Sequence, residues 1–399
     1  MAIRDAEVAA EASGIAKARL FMLIFLLAGA LGGVAGGLFA SLQSYITPEA
    51  FTFEMSVLFF IAILIGGRGS ILGPALATII LTALPEFAAP LVQWSTFLYA
   101  ALLLVIVLLV PGGIADMLDF KNRRPLTQHR EIVPRAELLR RVLDRTDGRR
   151  TIALRDIALH FGGVRAIDGL NLEIHSAEVH GLIGPNGSGK TTTLNVISGY
   201  YKPKTGTLKL DGADLPFDQP HVRASHRIAR TFQTPRLVGA ASVLENVMIG
   251  GTVHGQASFA EAMLSLPRHR GAETRLGAAA MQALTTVGLE SLGEVRADRL
   301  QHSELRFMEI ARALMLRPAF LMLDEPAAGL SAEEIPRLGD LIKGISREGV
   351  GVLLVEHHAD LIFDICDRVT VLNLGKMLAA GTPNEIRSHR EVVSAYLGA

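Results

Sequence analysis

Gly184-Pro185-Asn186-Gly187-Ser188-Gly189-Lys190-Thr191 reads G-x-x-x-x-G-K-T, a loop whose backbone N–H groups can close around phosphate. An apolar, strand-like run (178–183) precedes it and a helix-like run from Thr192 to Ser198 follows, which is the setting such a loop requires. The glycines permit the tight backbone, and the helix that follows turns its partly positive N-terminus toward the anion. Lys190 is then expected to reach the β- and γ-phosphates, and Thr191 to offer its hydroxyl to Mg²⁺. The implied ligand is a nucleoside triphosphate, ATP, held by residues 184–192 including Thr192. A glycine-rich turn with a chance lysine is the alternative, and it leaves the rest of the chain unexplained.

Downstream, Phe320-Leu-Met-Leu323 leads into Asp324-Glu325-Pro326. A buried apolar strand that ends in paired carboxylates delivers both to the edge of a nucleotide site. Asp324 suits a role in holding Mg²⁺, and Glu325 suits polarising the attacking water. Strand-like runs recur at 151–155, 170–174, 178–183, 207–211, 320–324, 351–355 and 368–373, several with helical stretches between them. The expected class is α/β, with a mostly parallel core and an antiparallel portion at its start.

The 399 residues carry equal numbers of acidic and basic side chains, but their distribution is uneven. Residues 20–111 are almost uncharged, whereas 112–399 read as an ordinary globular sequence. The single cysteine, Cys366, excludes an internal disulfide framework and fits a reducing compartment. No basic tract with interleaved aromatics marks a nucleic-acid surface. The start of the chain lacks the pattern of a signal peptide.

Crossing a bilayer as a helix takes about 20 apolar residues. Residues 20–42 and 94–111 meet that length, and two shorter apolar runs, about 52–66 and 70–85, lie between them. Arg68, within Gly66-Gly-Arg-Gly-Ser70, is costly at the bilayer centre, so the short runs are expected to be spans joined by a cytoplasmic turn. A re-entrant hairpin is the alternative for that pair. Arg4, Lys17, Arg19, Arg68, Lys121, Arg123 and Arg124 then fall on one side, which puts both termini in the cytoplasm by the positive-inside rule. The expectation is a helical membrane segment of about four spans, followed by a charged, solvated linker with a short helix at 135–145, and then the α/β domain. Four helices are too few to enclose a path for a polar solute, so other subunits are expected.

Residues 151–399 resemble the ATP-binding subunit of an ABC transporter, a P-loop α/β ATPase with a helical subdomain. The resemblance implies that Phe161 stacks on adenine, that Gln233 senses Mg²⁺ and the membrane subunit, and that His357 is the switch histidine at the γ-phosphate. Ala328-Gly-Leu-Ser331 stands where the family has its dimer-crossing loop. One motif departs from the pattern: Leu300-Gln301-His302-Ser303-Glu304 replaces the family's L-S-G-G-Q signature. That departure implies an asymmetric dimer in which a partner's intact signature completes the site built on Lys190 and Glu325.

Arg230-Thr-Phe-Gln-Thr234, Val243-Leu-Glu-Asn-Val247, Asp324-Glu-Pro-Ala-Ala-Gly-Leu330, Leu354-Val-Glu-His357 and Ala395-Tyr-Leu-Gly398 resemble the branched-chain amino acid importer branch. The first 115 residues are similar to the C-terminal part of the matching permease, with residues 4–15 resembling its coupling segment. The expected layout is a partial permease domain over 1–115, a charged linker over 116–150 and an ATP-binding domain over 151–399. Further permease helices would come from another chain or precede this start. The implied partners are a second ATPase subunit or a second copy, membrane permease subunits and a periplasmic solute-binding protein in a bacterial inner membrane, with the ATPase in the cytoplasm. A regulatory or assembly subunit with impaired hydrolysis is the competing reading. A soluble ABC ATPase of DNA repair or translation is opposed by the apolar spans, and an exporter by the incomplete membrane bundle.

Overall fold

The computed structural model describes residues 2–43, 45–47, 53–67, 71–87, 97, 104, 131–144, 148–217, 219–254, 261–262 and 266–394. The chain divides into two compact units, Met1–Ala18 with Thr127–Ala399, and Arg19–Leu126.

The larger unit is built on two sheets. β1 (Thr151–Phe161), β2 (Val164–His175), β4 (Thr205–Leu210) and β5 (Ala213–Asp214) form an antiparallel sheet in the order β2-β1-β4-β5. The second sheet has the order β10-β9-β3-β8-β7-β6, from β3 (Val179–Ile183), β6 (Ile228–Arg230), β7 (Phe320–Asp324), β8 (Gly351–Val355), β9 (Arg368–Asn373) and β10 (Lys376–Gly381). It is parallel except at β10, which pairs antiparallel with β9. Every residue of β3, β7 and β8 is buried, as expected for strands covered on both faces. One apolar cluster, including Ile152, Leu154, Leu182, Leu194, Phe320 and Leu353, joins the two sheets. The α/β class with an antiparallel first portion therefore holds.

The parallel register decides where the chemistry sits. Asp324 lies opposite Val355, Leu182 opposite Val355 as well, and Arg230 opposite Met322. Segments leaving the carboxyl ends of β3, β6, β7 and β8 thus emerge at one edge, the usual place for a ligand on an open parallel sheet.

Two segments outside the sheets dock on this unit. The helix Glu7–Ala12 buries Ala9 and Ala10, Ala6 is buried between it and the helix Ala2–Asp5, and Ala6 and Ala9 cluster with Val238. Alanine is small enough for close backbone approach, and the Tyr200 hydroxyl donates to the Val8 carbonyl at 2.8 Å. Residues 131–144 differ from the expected solvated linker. Ile132, Leu139, Val142 and Leu143 are buried, the Arg135 N–H donates to the Thr286 carbonyl at 2.8 Å, and Arg337 donates to the Ile132 carbonyl at 3.1 Å. Four apolar side chains set among arginines are enough to seat the segment while the charges stay in water.

The helix Lys17–Leu42, which belongs to the smaller unit from Arg19 onward, has a mean hydropathy of 2.1 and is the one described helix long and apolar enough to cross a membrane. Its side chains are exposed, including Phe25, Leu31, Val34 and Leu38. The shorter helices Phe53–Gly66 and Leu72–Phe87 pack together through Ala62, Ile65, Ala77 and Leu81. A Cβ on Gly73 would stand 1.9 Å from the Gly66 carbonyl oxygen, so glycine is required at this crossing. Among the described residues the number of spans stays at one long helix and two short ones. Arg68 and, apart from Phe97 and Leu104, the 94–111 span lie outside the described residues, as do 116–130, 145–147 and Ala395–Gly398.

Candidate functional site

The loop after β3 is shaped by backbone that side chains would obstruct. Gly184 and Gly189 have φ of +147° and +105°, and a Cβ on them would meet the Leu372 carbonyl oxygen at 2.1 Å and the Ala166 carbonyl oxygen at 2.5 Å. Gly189 caps the helix Lys190–Ile197, whose first N–H groups face the loop. Lys190 Nζ donates to the Gly184 and Pro185 carbonyls at 2.7 and 3.0 Å. Burial pushes its ammonium below the ordinary lysine value, and the nearby Glu325 and Asp324 carboxylates pull it back up. Pro185, Asn186, Gly187, Thr191 and Thr192 line the rim, Thr191 exposed, while Ser188 is buried with an unpartnered hydroxyl.

At the end of β7, Asp324 is 2 % exposed and pairs with Arg230 at 3.0 Å through Oδ2. Its Oδ1 is buried without a partner. Burial raises the Asp324 carboxyl above the usual range, with Arg230 opposing that rise. Glu325 takes a φ of +49°, rare for a side chain of its size, and its N–H donates to the Val355 carbonyl at 2.9 Å. That twist turns its carboxylate toward two partners. His357 Nε2 lies 2.9 Å from Oε1, and Gln233 Nε2 donates to Oε2 at 2.8 Å. Backbone strain of this kind persists where surrounding contacts over-determine it.

The cradle accommodates a triphosphate with a divalent cation. Gly187 has no described atom within 4 Å of its Cβ position and leaves the loop open there, Lys190 Nζ rests on two loop carbonyls, and Asp324 Oδ1 and Ser188 Oγ are buried without partners. Phe161 is 47 % exposed, available for stacking, and meets Tyr201 edge-on at 5.2 Å. The arrangement therefore brings together Lys190, Asp324, Glu325, His357 and Gln233, all singled out in the sequence.

Three residues were missed. Glu356 is 1 % exposed and accepts the Ala327 N–H at 2.6 Å and the His357 N–H at 3.0 Å, tying the loop after β7 to the one after β8. Arg230 fixes Asp324, and Tyr200 lies over it. The fully apolar strand before Glu356 was the available signal for it; Arg230 and Tyr200 carried none beyond their residue type. At Leu300–Glu304, Glu304 Oε2 accepts the Gln301 N–H at 2.8 Å, and the His302 ring donates to the Ala328 carbonyl at 3.1 Å. A buried carboxylate thus already occupies the start of the helix His302–Leu314.

Three family models match the chain: an ABC transporter model over 167–328, a branched-chain amino acid transport system permease component over 1–111, and a branched-chain amino acid ATP-binding cassette transporter over 376–399. The high-affinity branched-chain amino acid transport ATP-binding protein BraF of Pseudomonas aeruginosa is 38% identical over 243 residues, 61% of this chain and 95% of the relative. Its counterpart LivG of Escherichia coli (strain K12) is 36% identical over 248 residues, 62% of this chain and 97% of the relative. A nucleotide-free ATP-binding cassette from an ABC transporter superposes with a TM-score of 0.55 at 28% identity, over 63% of this chain and all of that one. The ADP conformation of an ATP-binding cassette gives 0.54, also at 28%, over 63% and 99%.

Proposed function

Since the chain belongs to the ABC transporter family, with the branched-chain amino acid transport ATP-binding proteins, we propose that it drives import of branched-chain or related amino acids. It is an ATPase of the ABC type with a permease-like region before the cassette. The observation that carries the mechanism is the Glu325 carboxylate held between His357 and Gln233 beside the phosphate loop.

In this reading the Gly184–Thr192 backbone and Lys190 bind the phosphates of ATP, and Phe161 stacks on the base. Thr191, Asp324 and Gln233 would hold Mg²⁺, which when bound neutralises charge on the β- and γ-phosphates. Gln233 spends its amide nitrogen on Glu325, leaving its carbonyl oxygen for the cation. Glu325 accepts a proton from the attacking water as the water's oxygen bonds to the γ-phosphorus, and ADP departs with the bridging oxygen. His357 orients Glu325 and reaches for the γ-phosphate.

The partners in this reading are a second ATPase chain with an intact signature, permease subunits and a periplasmic binding protein. The Glu304 carboxylate at the helix start supports the asymmetric dimer, because a second chain's γ-phosphate would meet like charge there. The setting is the bacterial inner membrane, crossed more than once, with the larger unit in the cytoplasm. Reconstitution tests the reading: vesicles holding the full complex should accumulate leucine only with Mg-ATP on the cassette side. ATP-independent accumulation would refute it.

A further inference from the structure

The helix Glu7–Ala12 and Asp324 are linked by a continuous set of contacts. Tyr200 donates its hydroxyl to the Val8 carbonyl at 2.8 Å. The Arg230 guanidinium lies 5.9 Å from the centre of the Tyr200 ring and 5.1 Å from that of Phe232, and those two rings meet edge-on at 6.2 Å. Arg230 then donates to Asn195 Oδ1 at 2.6 Å and to Asp324 Oδ2 at 3.0 Å. Arg230 thus lies against two aromatic rings that also touch each other, with one side of its fork on the phosphate-loop helix and the other on the carboxylate.

We propose that Tyr200 and Arg230 are positioning residues that tie the seat of the N-terminal helix to the orientation of the Asp324 carboxylate. The inference rests on the reading of Asp324 as a metal-holding group. With Oδ2 fixed by Arg230, Oδ1 is the buried oxygen left without a partner, so rotation of the guanidinium would turn the carboxylate. The planar guanidinium is suited to this because it pairs in a defined plane and stacks on rings. Tyr200 is anchored at both ends, by its hydroxyl on the helix and by its ring face on the cation. A shift of the helix Glu7–Ala12 therefore reaches Arg230 through one ring. By linkage, the metal–nucleotide complex must act back on the helix with equal coupling.

The test uses the full chain in detergent, with Mn²⁺ and ADP as probes. Mn²⁺ affinity is read by electron paramagnetic resonance, and the seat of the helix by hydrogen–deuterium exchange over residues 7–14. Wild type should change its exchange there when Mn²⁺–ADP binds. Tyr200→Phe removes one hydroxyl, and should shrink that change by about 2–10-fold, the reach of one hydrogen bond. Arg230→Lys should weaken Mn²⁺ binding while leaving ADP affinity in chelator unchanged, a split that a merely structural defect would not produce. If Arg230→Lys fails to accumulate, Tyr200→Phe alone decides. Asp324→Asn should weaken Mn²⁺ binding severely. Should it do so while Tyr200→Phe retains the full exchange response, the relay is overturned and the metal reading stands. Unchanged Mn²⁺ binding in Asp324→Asn would overturn both.

Discussion

Glu325 and His357, 32 residues apart in sequence, meet at 2.9 Å because β7 and β8 run side by side and end together. Neither side chain could reach the other if the strands were offset by two residues. The pair fixes one oxygen of the carboxylate and leaves its orientation relative to the phosphate loop defined. His357→Ala should therefore lower the rate of ATP hydrolysis by about 10²–10⁴, the range for a misplaced general base. ATP affinity measured on the same protein should change little. An unaffected rate would remove His357 from the site.

The phosphate loop depends on backbone that only glycine can adopt. Gly189→Ala forces a Cβ to within 2.5 Å of the Ala166 carbonyl oxygen at a φ of +105°. Equilibrium binding of a fluorescent ATP analogue should be lost. Gly187→Ala is the informative comparison: its φ is +78°, but no described atom lies within 4 Å of the Cβ position, so it should retain weakened binding.

Much of this site was legible because its parts are punctuated in sequence. The glycine-rich loop, the run Phe320–Leu323 before two carboxylates, and His357 after an apolar strand each carry a local signal. β6, with only three residues, is too short to show a period, and Arg230 at its end resembles any surface arginine. Its burial follows from pairing with Asp324 across the sheet, which no local pattern encodes. The seating of the segment 131–144, though not its short helix, is hidden for a related reason. Its arginines dominate its composition, while four spaced apolar residues decide where it lies.

That segment supplies a stability prediction. Leu139 is fully buried, and a Cβ on Gly344 would approach its Cδ1 at 2.9 Å. Leu139→Ala should destabilise the folded unit by about 2–5 kcal/mol. The thermal midpoint of the purified chain should fall, with hydrolysis per folded molecule retained.

Cys366 is buried, and burial raises its thiol above the ordinary value. The unfolded thiol ionises near pH 8.5, whereas the folded one stays protonated. Stability from this group is complete below about pH 8.5 and declines as pH rises further, because the unfolded state then loses a proton that the folded state keeps. Denaturant midpoints should fall across that range in wild type, and the fall should be shallower in Cys366→Ala. A thiol reagent should label the native chain slowly and the unfolded chain at once.

The most direct measurement is ATP turnover by the assembled complex carrying Glu325→Gln in this chain alone. The substitution keeps the side chain's shape but removes the group that accepts the proton. Turnover should collapse while radiolabelled ATP remains bound and can be recovered unhydrolysed from the complex. Wild-type turnover with ATP still bound would contradict the assignment of Glu325 as the base of a working site.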